Sequence, residues 1–146
     1  MTFMREVAGN LWDFDCTVRA IPTNGYLKLD GTVPMGAGLA QQAALRFPNL
    51  PEILGKCVAS SGNHVHVLRH DIVAFPTKND WRQPSDLALI ERSAHELLDK
   101  ANLLQWKCVG LPRVGCGKGN LRWSQVRPVL EAVFGNDPRF VIVDNS

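Results

Sequence analysis

Two glycine-rich stretches carry the residues most able to do chemistry in this chain of 146 residues. The first, VPMGAGLAQQAALRF from Val33 to Phe47, sets Gly36 and Gly38 directly ahead of an apolar pattern at helical spacing. The second, LPRVGCGKGN from Leu111 to Asn120, sets Gly115, Gly117 and Gly119 around Cys116 and Lys118. Glycine lets a ligand approach the backbone closely, and a helix starting behind such a loop offers unpaired N–H groups to an anion. Together they point to a cradle for a diphosphate. A tight turn is the competing reading of either stretch alone, and two such stretches on neighbouring strand ends weaken it.

Cys116 could act as a nucleophile only with a base or cation to hold its thiolate. The histidines supply no obvious partner, since His64, His66 and His70 fall in a strand-like stretch and His95 in a helical one. A small side chain fitted between glycines is the preferred reading. His64 and His66 alternate onto one strand face, but no third ligand is spaced to join them, so no metal is expected.

The elements that must position these loops alternate along the whole chain. CTVRAIP (16–22), HVHVLRH (64–70), DIVAFP (71–76), KCVGLP (107–112) and RFVIVD (139–144) are short, rich in Val and Ile, and bounded by Pro, Gly, Asn or Asp. FMREVAG (3–9) is a weaker sixth strand. SDLALIERSAHELLDKAN (85–102) places Leu87, Ile90, Ala94, Leu97, Leu98 and Ala101 on one helical face, with Ser85 as the expected N-cap. Further helices are expected over AGLAQQAALRF (37–47), over 51–58, and over SQVRPVLEAVFG (124–135), which has a Pro near its first turn and a Gly exit. This alternation predicts an α/β sheet covered by helices and at least partly parallel. Ligands of such sheets bind where strand ends lead into helix N-termini, which is where the glycine loops fall.

Composition bounds the partners. Sixteen Lys and Arg against fourteen Asp and Glu leave a formal charge of +2, too little for a surface that tracks polyanions, so no strong binding to unmodified nucleic acid is expected. Four scattered cysteines without a CxxC pair, and no signal peptide or long apolar run, predict free thiols, a cytoplasmic location and no membrane association. The length suits one domain spanning 1–146.

Four motifs in order, IPTNG, VPMGAGLAQQ, FPTK and LPRVGCGKGNLRW, resemble the macro domain, an ADP-ribose-binding module, over essentially the whole chain. Within that family the PTK lysine and the P-x-GCG loop followed by L-x-W look most like the branch of the terminal ADP-ribose protein glycohydrolase and the DarG antitoxin. The resemblance implies a three-layer α/β/α fold with a six-stranded mixed sheet, ADP-ribose as ligand and no cofactor. Position by position, it assigns Gly9, Asn10 and Leu11 to the adenine end and Asn24 to the distal ribose. Met35, Gly36, Ala37 and Gly38 match the first phosphate loop; Pro112, Val114, Gly115, Cys116, Gly117, Lys118, Gly119 and Asn120 match the second. The family commonly has Asp where this chain has Asn10; an amide oxygen can still accept the adenine amino hydrogen, so weaker binding is expected rather than none. Trp12 is expected to flank the adenine end, with Trp106 and Trp123 in the core or at the start of a helix.

In that branch the lysine matched by Lys78 acts on the anomeric carbon of the distal ribose to release ADP-ribose. Attack requires a neutral amine, and an ordinary exposed loop lysine is the competing reading. Trp81 and Arg82, beside it, suit an acceptor through base stacking and phosphate pairing, or merely cover the loop. The protein glycohydrolase carries an aspartate where this chain has Gly119, whereas DarG-like members tend to keep glycine. Asp80 is the local substitute for a proton carrier, a turn residue being the competing reading. The resemblance therefore implies an ADP-ribosyl hydrolase, with an ADP-ribosylated nucleic acid base favoured as substrate, a protein carboxylate second, and an ADP-ribosyltransferase as a possible companion. A non-catalytic ADP-ribose reader and an ADP-ribose 1″-phosphate phosphatase remain the alternatives.

Overall fold

The computed structural model describes residues 4–145. Six strands, β1 (Arg5–Ala8), β2 (Val18–Asn24), β3 (His66–Arg69), β4 (Ile72–Lys78), β5 (Val109–Leu111) and β6 (Phe140–Asp144), form one sheet in the order β1-β6-β5-β2-β4-β3. Five of them run parallel, and β3 alone pairs antiparallel, with β4. The sheet is therefore mixed, and every parallel strand ends at the same edge.

Alternation along the strands feeds two cores. Val73 and Phe75 of β4, with Phe140 and Ile142 of β6, face helices α3 (Leu87–Leu104) and α4 (Trp123–Phe134). Ile72 and Ala74, with Val141 and Val143, face α1 (Gly38–Arg46) and α2 (Leu50–Ser61). The result is the expected three-layer α/β/α arrangement. Ile90 and Leu97 on the apolar stripe of α3 are fully buried, each contributing about 1.5–3 kcal/mol. That stripe, more than helix propensity, holds α3 in place.

Several boundaries differ from the sequence expectation, each for a tertiary reason. The first strand starts at Arg5; Phe3, included in the expected strand, lies outside the described residues. β2 and β4 each run two residues beyond the expected proline, because Pro22 and Pro76 keep their strand positions in the β2–β4 ladder. Asn24 and Lys78 consequently end strands. β3 is shorter than expected, and His64 precedes it. The cap of α3 is Asp86, whose carboxylate accepts from the N–H groups of Ala88 at 2.9 Å and Leu89 at 3.4 Å; Ser85 sits one residue outside and is buried. α2 is longer than the expected 51–58, and Pro128 lies inside α4 beyond its first turn.

Candidate functional site

At the shared edge of the parallel strands the chain forms a cleft of two adjoining lobes, of about 920 Å³ and about 520 Å³. Ligand pockets commonly span roughly 300–1,000 Å³, so the pair accommodates an elongated molecule. Both lobes are bordered by Gly38, Leu39, Pro112, Arg113, Cys116 and Gly117, which mark their junction.

The first wall is the start of α1. Gly36, Ala37, Gly38, Leu39 and Ala40 line the larger lobe, no side chain caps the helix, and its first turn holds no acid. Its leading N–H groups and the positive end of its dipole are thus available to an anion. The second wall is the loop after β5. Gly117 adopts φ +65°, and a Cβ there would meet no protein atom within 4 Å. The backbone at Gly117 therefore faces the junction without a side chain in the way. Arg113 brings a guanidinium to the same place, held by Glu6 at 2.6 Å and Asp144 at 3.5 Å, with Trp123 under it at 5.2 Å.

The third wall is the end of β4. Between Thr23 and Asn24 the register of β2 against β4 slips, so that Thr23 opposes Pro76 while Asn24 opposes Lys78. Thr77 is the extra residue of a bulge, the kind of irregularity that re-aims a side chain at a strand end. Lys78 is half-buried and lines the larger lobe. Its carbonyl accepts from Asn63 Nδ2 at 3.1 Å, and the same amide bonds Asn79 at 2.9 Å. Asn63 also packs against Gly25, where a Cβ would fall 2.5 Å from its Cγ. Position 25 must stay small for this brace to close on the lysine.

The Macro domain family model matches residues 36–130. The chain belongs to the macro domain family. Among its relatives, the DNA ADP-ribosyl glycohydrolase of Mycobacterium tuberculosis is 30% identical over 115 residues, covering 71% of this chain and 32% of the relative. The solved macrodomain of Mycobacterium tuberculosis DarG superposes with a TM-score of 0.84 at 27% identity, covering 99% of both chains. A DNA ADP-ribosyl transferase–DNA ADP-ribosyl glycohydrolase fusion protein of Thermosipho africanus is 26% identical over 121 residues, covering 66% of this chain and 31% of the fusion. The structure of DarTG from the same organism, in complex with ADP-ribose, shares the fold at a TM-score of 0.79 and 19% identity, over 96% of this chain and 41% of that one. The chain spans about a third of the length of the curated relatives it matches.

In this macro domain most of the expected site residues meet at one cleft. Asn24, Met35, Gly36, Ala37, Gly38, Lys78, Trp81, Pro112, Gly115, Cys116, Gly117, Lys118 and Gly119 line the larger lobe, and Leu11 lines the smaller one. Val114 is fully buried in the core instead, and Asn120, in the left-handed conformation, closes the short 3-10 turn Gly117–Gly119 without lining either lobe. Gly9 and Asn10 line neither lobe, and Asn10 Oδ1, the expected adenine acceptor, accepts the Trp12 N–H at 3.0 Å, with one lone pair left. Asn24 is likewise engaged, donating to Pro34 O at 3.0 Å and accepting from Tyr26 N at 2.9 Å.

Around Lys78 the two acceptor candidates separate. Trp81 is 53% exposed and borders the larger lobe. Arg82 does not border it; its guanidinium clasps Asp80 through contacts of 2.9 and 2.6 Å and lies 4.9 Å over Tyr26. That clasp, with the Arg82 N–H, holds the Asp80 carboxyl down to about 2. Asp80 therefore stays ionised and lines neither lobe, which removes it as a substitute proton donor. Burial pushes the Cys116 thiol up, with Arg113 opposing weakly, so the thiol form prevails at neutral pH and its small side chain serves the loop.

Two of the four histidines are engaged away from the cleft. His64 Nδ1 lies 2.7 Å from Glu96 and His66 Nε2 2.9 Å from Gly62 O. Among the described residues no group of three or more His, Cys, Asp or Glu is placed to hold a metal, and no helix is long and apolar enough to cross a membrane. Trp12 bonds Gln42, a lining residue of the smaller lobe, at 2.8 Å, while Trp106 is buried and Trp123 opens α4.

Sequence reasoning missed Thr23, Thr77, Ser85, Arg113 and Asp144, all of which border the cleft. The strand-end rule was the available signal for Thr23, Thr77 and Asp144, each at the carboxyl end of a parallel strand. Arg113 lay within the second glycine stretch itself, while Ser85 carried only a capping signal that Asp86 takes.

Proposed function

We propose that the chain, as one macro domain over 1–146, binds ADP-ribose along the two lobes and removes it from an ADP-ribosylated nucleic acid base, with a protein carboxylate as the second acceptor class. The adenine end takes the smaller lobe beside Leu11. The diphosphate takes the junction, where the α1 N-terminus, Gly117 and Arg113 converge, and the distal ribose points into the larger lobe toward Lys78. One observation carries this reading: Lys78 ends a strand on the same cleft as both glycine loops, while the only side chain at position 119 is a hydrogen. The glycohydrolase names of the relatives, and the transferase fused to one of them, support the acceptor and a companion ADP-ribosyltransferase.

Lys78 acts at the anomeric carbon. Its amine forms a bond to C1″ as the bond to the acceptor breaks, the acceptor takes a proton, and water then frees ADP-ribose from the lysine adduct. Trp81 stacks on the acceptor base. The reaction needs no cofactor, and the four free cysteines suit a cytoplasmic location.

The test pairs two substrates, an ADP-ribosylated DNA oligonucleotide and a glutamate-linked ADP-ribosylated protein, and follows free ADP-ribose by mass spectrometry. Release from DNA, abolished in Lys78→Ala with ADP-ribose binding within about threefold of the parent, is the expected result. Equal release by Lys78→Ala refutes the mechanism. Tight binding without release from either substrate selects the reader. Turnover of ADP-ribose 1″-phosphate alone selects the phosphatase.

A further inference from the structure

Among the described residues three buried side-chain polar atoms have no protein hydrogen-bond partner: Thr23 Oγ1, Ser85 Oγ and Trp123 Nε1. All three belong to residues that border the cleft, Thr23 and Ser85 the larger lobe and Trp123 the smaller. Native proteins rarely leave buried hydroxyls unpaired, and orphans gathered at one cavity point to ligand atoms as their partners. Ser85 is the most informative of them.

Its position is fixed from both sides. Ser85 N–H donates to Gly119 O at 2.8 Å, and the next residue, Asp86, donates its N–H to Thr77 O at 2.8 Å. The segment thus stitches the lysine-bearing strand end to the far end of the second glycine loop. Ser85 is 7% exposed, and the capping task that a serine ahead of a helix usually performs belongs to Asp86. The hydroxyl is therefore spare. It also occupies a specific place: a Cβ built on Gly119 would fall 2.3 Å from Ser85 Oγ. At this point a carboxylate-bearing side chain at 119 would leave the loop.

We propose that Ser85 Oγ is a hydrogen-bonding contact for a hydroxyl of the sugar that follows the diphosphate, in the place where a side chain on residue 119 would otherwise stand. Ser85 borders the larger lobe and is not among the residues common to both lobes; its neighbour Asp86 bonds Thr77, the residue before Lys78, at the end where the ADP-ribose reading seats that sugar. A hydroxyl suits this partner because it can donate and accept at once, as a sugar hydroxyl can. The proposal rests on the ADP-ribose reading given above.

The discriminating experiment is calorimetric titration of the whole chain with ADP-ribose and with ADP, which lacks the second sugar. Ser85→Ala is expected to weaken ADP-ribose about five- to tenfold, the value of one lost hydrogen bond, and to leave ADP within about twofold. Gly119→Ala is the second variant. Its methyl forces the Ser85 hydroxyl to turn away, so a loss of ADP-ribose affinity at least as large as that of Ser85→Ala is expected, with no additional loss when Ser85→Ala is added to it. Equal weakening of both ligands, or no change in either, overturns the role of Ser85 while leaving the ADP-ribose reading intact. A parent protein that binds neither ligand overturns both.

Discussion

Gly117→Ala separates backbone strain from ligand clash at the junction of the two lobes. Gly117 holds φ +65°, and its missing Cβ would meet no protein atom within 4 Å. The folded state therefore bears only the left-handed penalty of an L residue, about 1–2 kcal/mol, offset by about 0.4–1 kcal/mol because alanine restricts the unfolded chain. The net cost is about 1 kcal/mol, a fall in Tm of roughly 4 °C for a chain of this size. Binding bears a different cost, since the methyl projects into space that borders both lobes. Overpacking a close contact costs about 1–3 kcal/mol, so the Kd for ADP-ribose should rise about ten- to hundredfold. Gly31→Ala is the control: φ is +85°, nothing lies within 4 Å, and the residue borders neither lobe. It should show the same thermal loss with an unchanged Kd. Differential scanning calorimetry and titration calorimetry read the two effects separately. If Gly117→Ala melts as expected and yet binds ADP-ribose within about twofold of the parent, the diphosphate does not sit at this junction.

Three further outcomes follow from single contacts. Asp86→Ala removes the carboxylate that accepts from Ala88 and Leu89 and should cost about 1 kcal/mol in chemical denaturation, with Asp86→Asn recovering most of it. Gly55→Ala should be costlier than either left-handed glycine variant, because its Cβ would fall 1.8 Å from the carbonyl oxygen of Gly31; urea titration should show at least about 2 kcal/mol. For Asp80, the Arg82 clasp lowers the folded pKa to about 2, against about 3.9 for an unpaired Asp. The clasp therefore supports the fold above roughly pH 4 and is lost as pH falls toward about 2. A carboxyl carbon NMR titration should place its midpoint near that lower value, and a midpoint near 4 would show the clasp to be absent in solution.

What could be read from the sequence depended on whether one segment or two set the outcome. The alternating Val and Ile runs and the stripe Ile90, Ala94, Leu97, Ala101 are local patterns, so the strands, α3 and the α/β class were legible, as were the glycine loops. Strand ends were not. β2 and β4 pass through Pro22 and Pro76 because each is paired in the ladder between them, and the bulge at Thr77 exists only as a relation between two strands. The same holds for chemistry. Lys78 and both loops are motifs within one segment each, and the fold brings them to one cleft. Asn10 differs: its residue type permits the adenine contact, while the turn bond that its oxygen accepts from the Trp12 N–H is visible only in the structure. Ser85 shows the limit most clearly, since its sequence context signals a cap. Its distinctive property, a buried hydroxyl without a protein partner, depends on packing against a distant segment, where Gly119 lacks a side chain and leaves that space to the serine. A glycine at that position thus admits a neighbour, and the chemistry of the cleft there is decided by which neighbour enters.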